Sequence, residues 1–253
     1  FIYSSVKMYE LCYATSQTPT GGFTYGGVII SNNDMGIAKD KPADQPMFYG
    51  GNNHGSIEEI NDAWYIFYHR HTNGTNYSRQ ACAERIHLSE NGSIAQVEMT
   101  SCGLNGGPLP GKGRYSAHIA CNLFCDKESI YTGSMGGNGL WMNSEYPKIT
   151  QDGADGDETE GYILNMTHSA TAGFKYFSLQ DVSEITVTVR GYCDGWFEIK
   201  TAWNGEVLGK IPVHFSSQWM DYTTEISLPD GVYPLYLCYM GAGTAALSAF
   251  TLA

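Results

Sequence analysis

Short apolar stretches separated by turn residues recur along the chain, and no helical period of apolar residues persists for about ten residues or more. Glycine, proline, asparagine and aspartate are common between these stretches, as expected where strands are joined by turns. In the first half of the chain the apolar stretches cover residues 1–6, 9–16, 23–31, 56–61, 63–71, 79–88 and 93–100. Strands at this spacing indicate an all-β sandwich, barrel or propeller and not a βαβ fold.

The second half carries its own series of strands. Residues 101–145 are rich in glycine and irregular, and they separate the two series. After them come eight apolar segments in about 100 residues, joined by DG and NG turns, which is the pattern of a compact β-sandwich. The clearest alternation places Ile185, Val187 and Val189 on one face of a strand.

We therefore expect two domains, residues 1–145 and 149–253, with a boundary near Ser144–Ile149. The chain opens directly with a strand-like segment, residues 1–6, that has no lead-in. We expect further chain before it to belong to the first domain.

The composition of the 253 residues narrows the function. Charged residues make up 16%, and the chain has 30 glycines and 18 tyrosines, which suits a β-rich protein with many turns. The formal net charge of −12 argues against a nucleic acid partner, because phosphates would be repelled, and suits a neutral ligand such as a sugar. The sequence has no run of about 18 apolar residues, so no transmembrane helix is predicted.

Seven cysteines are present, and none of them forms a CxxC pair. Free thiols in a reducing compartment explain this number better than a zinc site does. The compartment stays open between the cytoplasm and secretion from a bacterium, and the cysteines slightly favour the cytoplasm.

The stretch GNNHGSI, residues 51–57, reads as a turn that leads into a strand. Its histidine, His54, either satisfies backbone groups of the turn or points toward a ligand. From the residue pattern alone, the first reading is favoured.

Other candidates in the pattern are weaker. His69 and His71 share one strand face and could bind a metal, but they have no evident third ligand and are interpreted as rim or surface residues. Glu58 and Glu59 are adjacent in a strand and point in opposite directions, which excludes them as a catalytic pair. The run DGADGDETE is interpreted as a solvated acidic loop, because no helices flank it as in an EF-hand.

Two long segments in order, YELCYATSQTPTGGFTYGGVIIS and GNNHGSI with WYIFYHRHTNGTNYSRQACAERI, resemble the C-terminal blades of glycoside hydrolase family 43. The resemblance covers residues 1–125 and implies the last blades of a five-bladed β-propeller. Residues 149–253 resemble a carbohydrate-binding module of family 6, a jelly-roll β-sandwich. The implied fold is thus an all-β partial propeller followed by a sandwich.

The family resemblance implies an inverting glycosidase in which one carboxylate is the general base on water and a glutamic acid is the general acid. None of the family's catalytic carboxylates maps onto this sequence. Arg79 matches the arginine that orients substrate and acid. His54 matches the axial histidine that helps to hold a central Ca²⁺ through its water shell. Asp34, in a loop on the expected ligand side, is a candidate for a sugar contact.

In the sandwich, the family's sugar-binding asparagine falls at Ala246, which cannot replace it. Trp196, Trp203 and Trp219 are interpreted as core residues rather than as sugar platforms. The resemblance therefore suggests a sandwich that has lost sugar binding and braces the propeller.

The implied function is a glycoside hydrolase that removes arabinose or xylose units from plant polysaccharides such as arabinoxylan. This chain is expected to lack its base and acid, and a further N-terminal propeller half is an expected partner. The alternative is a non-catalytic carbohydrate-binding protein that acts through the C-terminal sandwich.

Overall fold

The computed structural model describes residues 1–39, 41–47, 53–73, 77–127, 145–154 and 157–253. Ser144, at one end of the predicted domain boundary, and Gly51 and Asn52 of GNNHGSI lie outside the described residues. The described part contains strands and two short 3₁₀ helices, η1 (Gly103–Asn105) and η2 (Ala117–Ile119), but no α-helix. None of its helices is long and apolar enough to cross a membrane.

The first half forms two separate antiparallel sheets of three strands each. The first sheet consists of β1 (Ile2–Ser4), β2 (Glu10–Thr15) and β3 (Thr24–Ser31), and the second consists of β4 (Ser56–Ile60), β5 (Ala63–His71) and β6 (Arg79–Ile86). Neighbours in sequence are neighbours in each sheet, as in the blades of a propeller. The described residues contain these two blade-like sheets and not a closed ring of blades.

The turn between β4 and β5 shows why these residues form a hairpin. Asn61 and Asp62 stand between the paired residues Ile60 and Ala63. Both have positive φ angles, 51° and 60°. A two-residue turn of this kind matches the twist of the flanking strands, and asparagine and aspartate tolerate the left-handed region.

The second half and three short strands from residues 109–124 together form one continuous ten-stranded sheet. Its strands are β7 (Leu109–Pro110), β8 (Gly113–Ser116), β9 (Asn122–Phe124), β10 (Lys148–Thr150), β11 (Tyr162–Met166), β12 (Thr171–Leu179), β13 (Glu184–Lys200), β14 (Gly209–Val213), β15 (Ser216–Glu225) and β16 (Gly231–Leu252). The helix η1 precedes β7, and η2 lies between β8 and β9. Strand β13 pairs with β16 along almost the whole length of β13.

The core of the sandwich is apolar and aromatic. Phe174, Phe177 and Phe197 are fully buried, and Phe250 is almost fully buried. The rings of Phe174 and Phe250 lie 4.6 Å apart between their centroids. The predicted inward face of β13 is confirmed, because Ile185, Val187 and Val189 are all fully buried.

The hydrogen-bonded sheet extends across the predicted domain boundary. Strands β7 and β9 pair with β12, and β8 pairs with β16, although all three precede residue 145. The irregular character predicted for residues 101–145 is therefore wrong for these strands. They are two to four residues long, which is too short to show an alternating pattern.

Candidate functional site

The histidines and the arginine of the sequence pattern lie together at one end of the second blade-like sheet. His54 stands just before β4, His69 and His71 end β5, and Arg79 begins β6 directly opposite His71. The His54 and His69 rings meet edge to face at 4.3 Å, and those of His69 and His71 are 6.4 Å apart. His54 and Arg79, the two residues singled out by the family resemblance, therefore lie at the same end of this sheet.

His69 and His71 are buried, so the prediction that they are rim or surface residues is wrong. They belong to the central strand of the sheet, which is covered by neighbours on both sides. Burial, the positive charge of Arg79 and the neighbouring His69 lower the pKa of His71 to about 4. At neutral pH its imidazole is uncharged, and Arg79 carries the full positive charge beside it.

Arg79 lines a cleft of about 550 Å³. Its described lining consists of Thr72, Asn73, Arg79, Gln80, His118, Ile149, Thr150, Gln151, Thr159 and Gly161. Most of these side chains carry hydroxyl or amide groups, and no described aspartate or glutamate is among them. Burial and the nearby Arg70 lower the pKa of His118, so its imidazole is also uncharged at neutral pH.

Asp34 lies away from this cleft and has no exposed surface. Its Oδ1 accepts a hydrogen bond from the Met99 backbone N–H at 2.8 Å. Its Oδ2 accepts from Asn122 and from Lys175, each at 3.1 Å. The expectation that Asp34 contacts a sugar is corrected accordingly, since both carboxylate oxygens are engaged inside the protein.

A fully protein-ligated metal site is not formed in the described part of the chain, where no three His, Cys, Asp or Glu side chains lie close enough to hold an ion. Calcium prefers six to eight oxygen ligands. Near His54, the buried amide oxygen of Asn53 has no hydrogen-bond partner. This donor set fits an ion held largely through water and not one held by side chains alone.

The position that matches the sugar-binding asparagine of the resembled module is buried in this sandwich. Ala246 is 4% exposed and stands opposite Arg190. The Arg190 guanidinium lies 4.3 Å from the Trp219 ring centroid and 5.0 Å from that of Tyr162, and it pairs with Asp152 at 2.7 Å. The two rings are 5.2 Å apart and meet edge to face, which leaves no space for a sugar between them.

The three tryptophans interpreted as core residues are half-buried. Trp203 packs edge to face against Phe124 and Tyr236, while Trp196 lies beneath Lys210. None of the three is a free, flat platform.

An exposed aromatic pair on the sandwich is not among the residues predicted from the sequence. Tyr192 is 81% exposed and Phe215 is 57% exposed, and their rings lie 4.8 Å apart. The alternation of EITVTVRGY puts Tyr192 on the outer face of β13 and could have identified it. Its pairing with Phe215, 23 residues later, depends on the register between β13 and β15.

These features define an all-β protein in which two blade-like sheets and a β-sandwich share a polar cleft that carries an arginine. No family model matches the chain. It is 63% identical over 252 residues to a xylosidase/arabinosidase from Thermoclostridium stercorarium, covering 100% of this chain and 53% of that protein. It is also 24% identical over 250 residues to an arabinoxylan arabinofuranohydrolase from Paenibacillus polymyxa, covering 94% of this chain and 35% of that protein.

A solved structure extends the comparison to the fold. The glycoside hydrolase family 43 arabinoxylan arabinofuranohydrolase from Bacillus subtilis, in complex with cellotetraose, superposes with a TM-score of 0.51 at 19% identity. The match covers 96% of this chain and 47% of that one. The chain thus spans about half the length of the first relative and of this structure. The expected resemblance to a xylosidase/arabinosidase is confirmed over the whole chain, and the fold is shared with a family 43 enzyme.

Proposed function

We propose that this chain is the substrate-binding part of an inverting glycoside hydrolase that removes arabinose or xylose units from plant polysaccharides such as arabinoxylan. The observation that carries the proposal is the position of Arg79, which lines the polar cleft opposite the uncharged His71. The 63% identity to a xylosidase/arabinosidase over the whole chain supports it.

The cleft residues can bind and orient a sugar but cannot cleave it. Arg79 has several N–H donors in a fixed plane, which can bind a sugar hydroxyl and hold a catalytic carboxylic acid in place. Inversion at a glycosidic carbon requires two carboxyl groups about 6.5–9.5 Å apart. The described lining supplies neither, and we assign both to a further segment of the propeller. A Ca²⁺ held through water by His54 would add a fixed positive charge at the propeller axis.

Two measurements on the purified chain test this function. With aryl α-L-arabinofuranoside and aryl β-xyloside, the expected result is no release of the aryl group. With arabinose-substituted xylo-oligosaccharides, calorimetry is expected to show binding that Arg79→Lys weakens about tenfold, since lysine lacks the planar donor set. Arg85→Lys is the control, because Arg85 is exposed on the same strand and outside this cleft. Turnover by the isolated chain would refute the assignment of base and acid to another segment.

The exposed aromatic pair favours a second candidate function, binding of polysaccharide by the sandwich without catalysis. Tyr192 and Phe215 present an exposed apolar surface with their rings tilted by 32°. The hydrogen-bonded pair of His214 and Asp194 lies nearby, with 3.1 Å between Nδ1 and Oδ1. Exposed aromatic surface with a polar rim is typical of binding sites.

Affinity electrophoresis in arabinoxylan gels tests the second candidate. Retardation of the chain is expected to be lost on Tyr192→Ala and Phe215→Ala. Phe23→Ala is the control, because Phe23 is 49% exposed in the other half of the chain. Equal retardation of all three variants would exclude the aromatic pair as the binding surface.

A further inference from the structure

We infer that the sandwich itself forms one wall of the Arg79 cleft and contacts the same neutral glycan as the blade does. The wall is the leading segment of the sandwich, defined here by the described residues 149–154 and 157–161. This inference rests on the proposed function and assigns part of substrate binding at the cleft to the sandwich.

The lining of the cleft comes from two sides of the molecule. Thr72, Asn73, Arg79 and Gln80 belong to the end of the β5–β6 hairpin. Ile149, Thr150, Gln151, Thr159 and Gly161 belong to the leading segment of the sandwich. His118, in η2, lies between them.

Direct hydrogen bonds hold the two walls together. The Asn73 backbone N–H donates to the Ile149 carbonyl oxygen at 2.6 Å. The Thr150 hydroxyl donates to the Asn73 side-chain oxygen at 2.7 Å. The cleft is therefore preorganised, and a bound ligand does not have to bring two independent domains together.

Three of the four described acidic side chains of the leading segment are engaged with other partners, and the fourth, Glu158, is exposed and outside the cleft lining. Asp152 pairs with Arg190, Glu160 pairs with Arg114, and Asp157 accepts a hydrogen bond from the Ala154 backbone N–H. None of these carboxylates lines the cleft.

The leading segment contributes the uncharged side chains of Gln151 and Thr159 to the cleft lining instead of carboxylates. Gln151 donates to the Ala154 carbonyl oxygen at 2.7 Å, and the Thr159 hydroxyl donates to the Asp152 carbonyl oxygen at 2.7 Å. These bonds fix both side chains in position.

The resulting chemistry fits a neutral, polyhydroxylated ligand. Arg79 is the one cation among the described lining residues, and the remaining polar groups are hydroxyls, amides and an uncharged imidazole. Hydroxyl and amide groups both donate and accept hydrogen bonds, as sugar hydroxyls do. A polyanion would need more than one cation here and would be repelled by the net charge of −12. The volume lies within the usual range for small-ligand sites.

Calorimetric titration of the 253-residue chain with an arabinose-substituted xylo-oligosaccharide tests the inference. Gln151→Ala and Thr159→Val are each expected to weaken binding about five- to tenfold. Thr159→Ser keeps the hydroxyl and is expected to restore binding. Gln218→Ala is the matched control, because Gln218 is exposed on β15 and is not part of the cleft lining. Melting temperatures are measured for each variant, so that a loss of folding is recognised.

The outcomes separate this inference from the proposed function. If the wild-type chain binds no arabinoxylan oligosaccharide, or if Arg79→Lys leaves binding unchanged, the proposed function fails. If the wild-type chain binds and Arg79→Lys weakens binding, but folded Gln151→Ala and Thr159→Val bind like wild type, the sandwich is not a wall of the site and the inference is overturned. Weakened binding in Thr159→Val with recovery in Thr159→Ser supports it.

Discussion

The Nζ atom of Lys175 lies 3.1 Å from Oδ2 of Asp34, and both side chains are almost completely buried. Lys175 belongs to β12 of the sandwich, and Asp34 follows β3 of the first blade-like sheet. Lys175 also lies 3.1 Å from Glu98. A buried charge cluster thus joins the two halves of the chain, in addition to the hydrogen bonds beside the cleft.

Lys175→Met should destabilise the chain by about 3–5 kcal/mol, because it leaves Asp34 and Glu98 without their buried cation. Urea denaturation measures the change in the free energy of unfolding. The double variant Lys175→Met, Asp34→Asn should recover part of the loss, since one of the two orphaned charges is removed. Lys127→Met is the control, because its pair with Glu145 is exposed and should contribute much less to stability. Equal losses in the two single variants would contradict a buried ion pair.

The carboxyl group of Glu84 should make stability fall as the pH rises. Burial raises its pKa to about 8, although Thr100 and Tyr68 donate hydrogen bonds to it. An unfolded glutamate titrates near about 4.3. Between these two values the folded chain keeps a proton that the unfolded chain has lost. The contribution of Glu84 is therefore complete below about pH 4.3 and is lost as the pH rises to about 8.

Glu84→Gln is neutral at every pH and should remove this decline. The expected difference in slope is at most about 1.4 kcal/mol per pH unit, measured by denaturation between pH 5 and pH 8.5 at about half-unit steps. Glu59→Gln, exposed on β4, should keep the wild-type profile. If Glu84→Gln kept the same slope as wild type, another group would have to be responsible for it.

Periodicity predicted those parts of the fold in which one strand carries its own signal. The alternation of Ile185, Val187 and Val189 identified an inward face, and burial of all three agrees with it. The strands β7 to β9 were missed, because they are held in place by their partners β12 and β16 and not by a pattern of their own.

The candidate site was predictable only in part, for the same reason. Arg79 and His54 stand out through the segments around them, whereas the burial of Asp34 depends on Lys175, which is 141 residues away. The cleft wall at Gln151 depends on contacts between the two halves of the chain. Long-range contacts of this kind leave no local trace in one sequence.

Calcium should stabilise the chain through His54 if the proposed axial ion is bound. A ligand that binds only the folded state raises the free energy of unfolding by about 2.7 kcal/mol at one hundred times its dissociation constant. Thermal unfolding should therefore shift upward when Ca²⁺ is added. His54→Ala should abolish the shift. His87→Ala should retain it, because His87 is exposed and lies outside this histidine cluster. An identical shift in both variants would place the ion elsewhere.

Glycine at position 55 should be required to place His54. Gly55 precedes the first residue of β4, and a methyl group there would overlap the backbone carbonyl oxygen of Phe67 on β5. Gly55→Ala must therefore push the start of β4 away from β5, at an expected cost of about 1–3 kcal/mol. The same movement should separate the His54 and His69 rings, which NMR detects as a change in their ring-proton shifts.

Gly107→Ala provides the matched control, because nothing lies within 4 Å of a methyl group at that position. It should change stability by no more than about 0.5 kcal/mol and leave both histidine spectra unchanged. If Gly55→Ala behaved like Gly107→Ala in both measurements, the close approach of the two strands would not exist. In that case Gly55 would not be required to hold His54 against His69 at this end of the sheet.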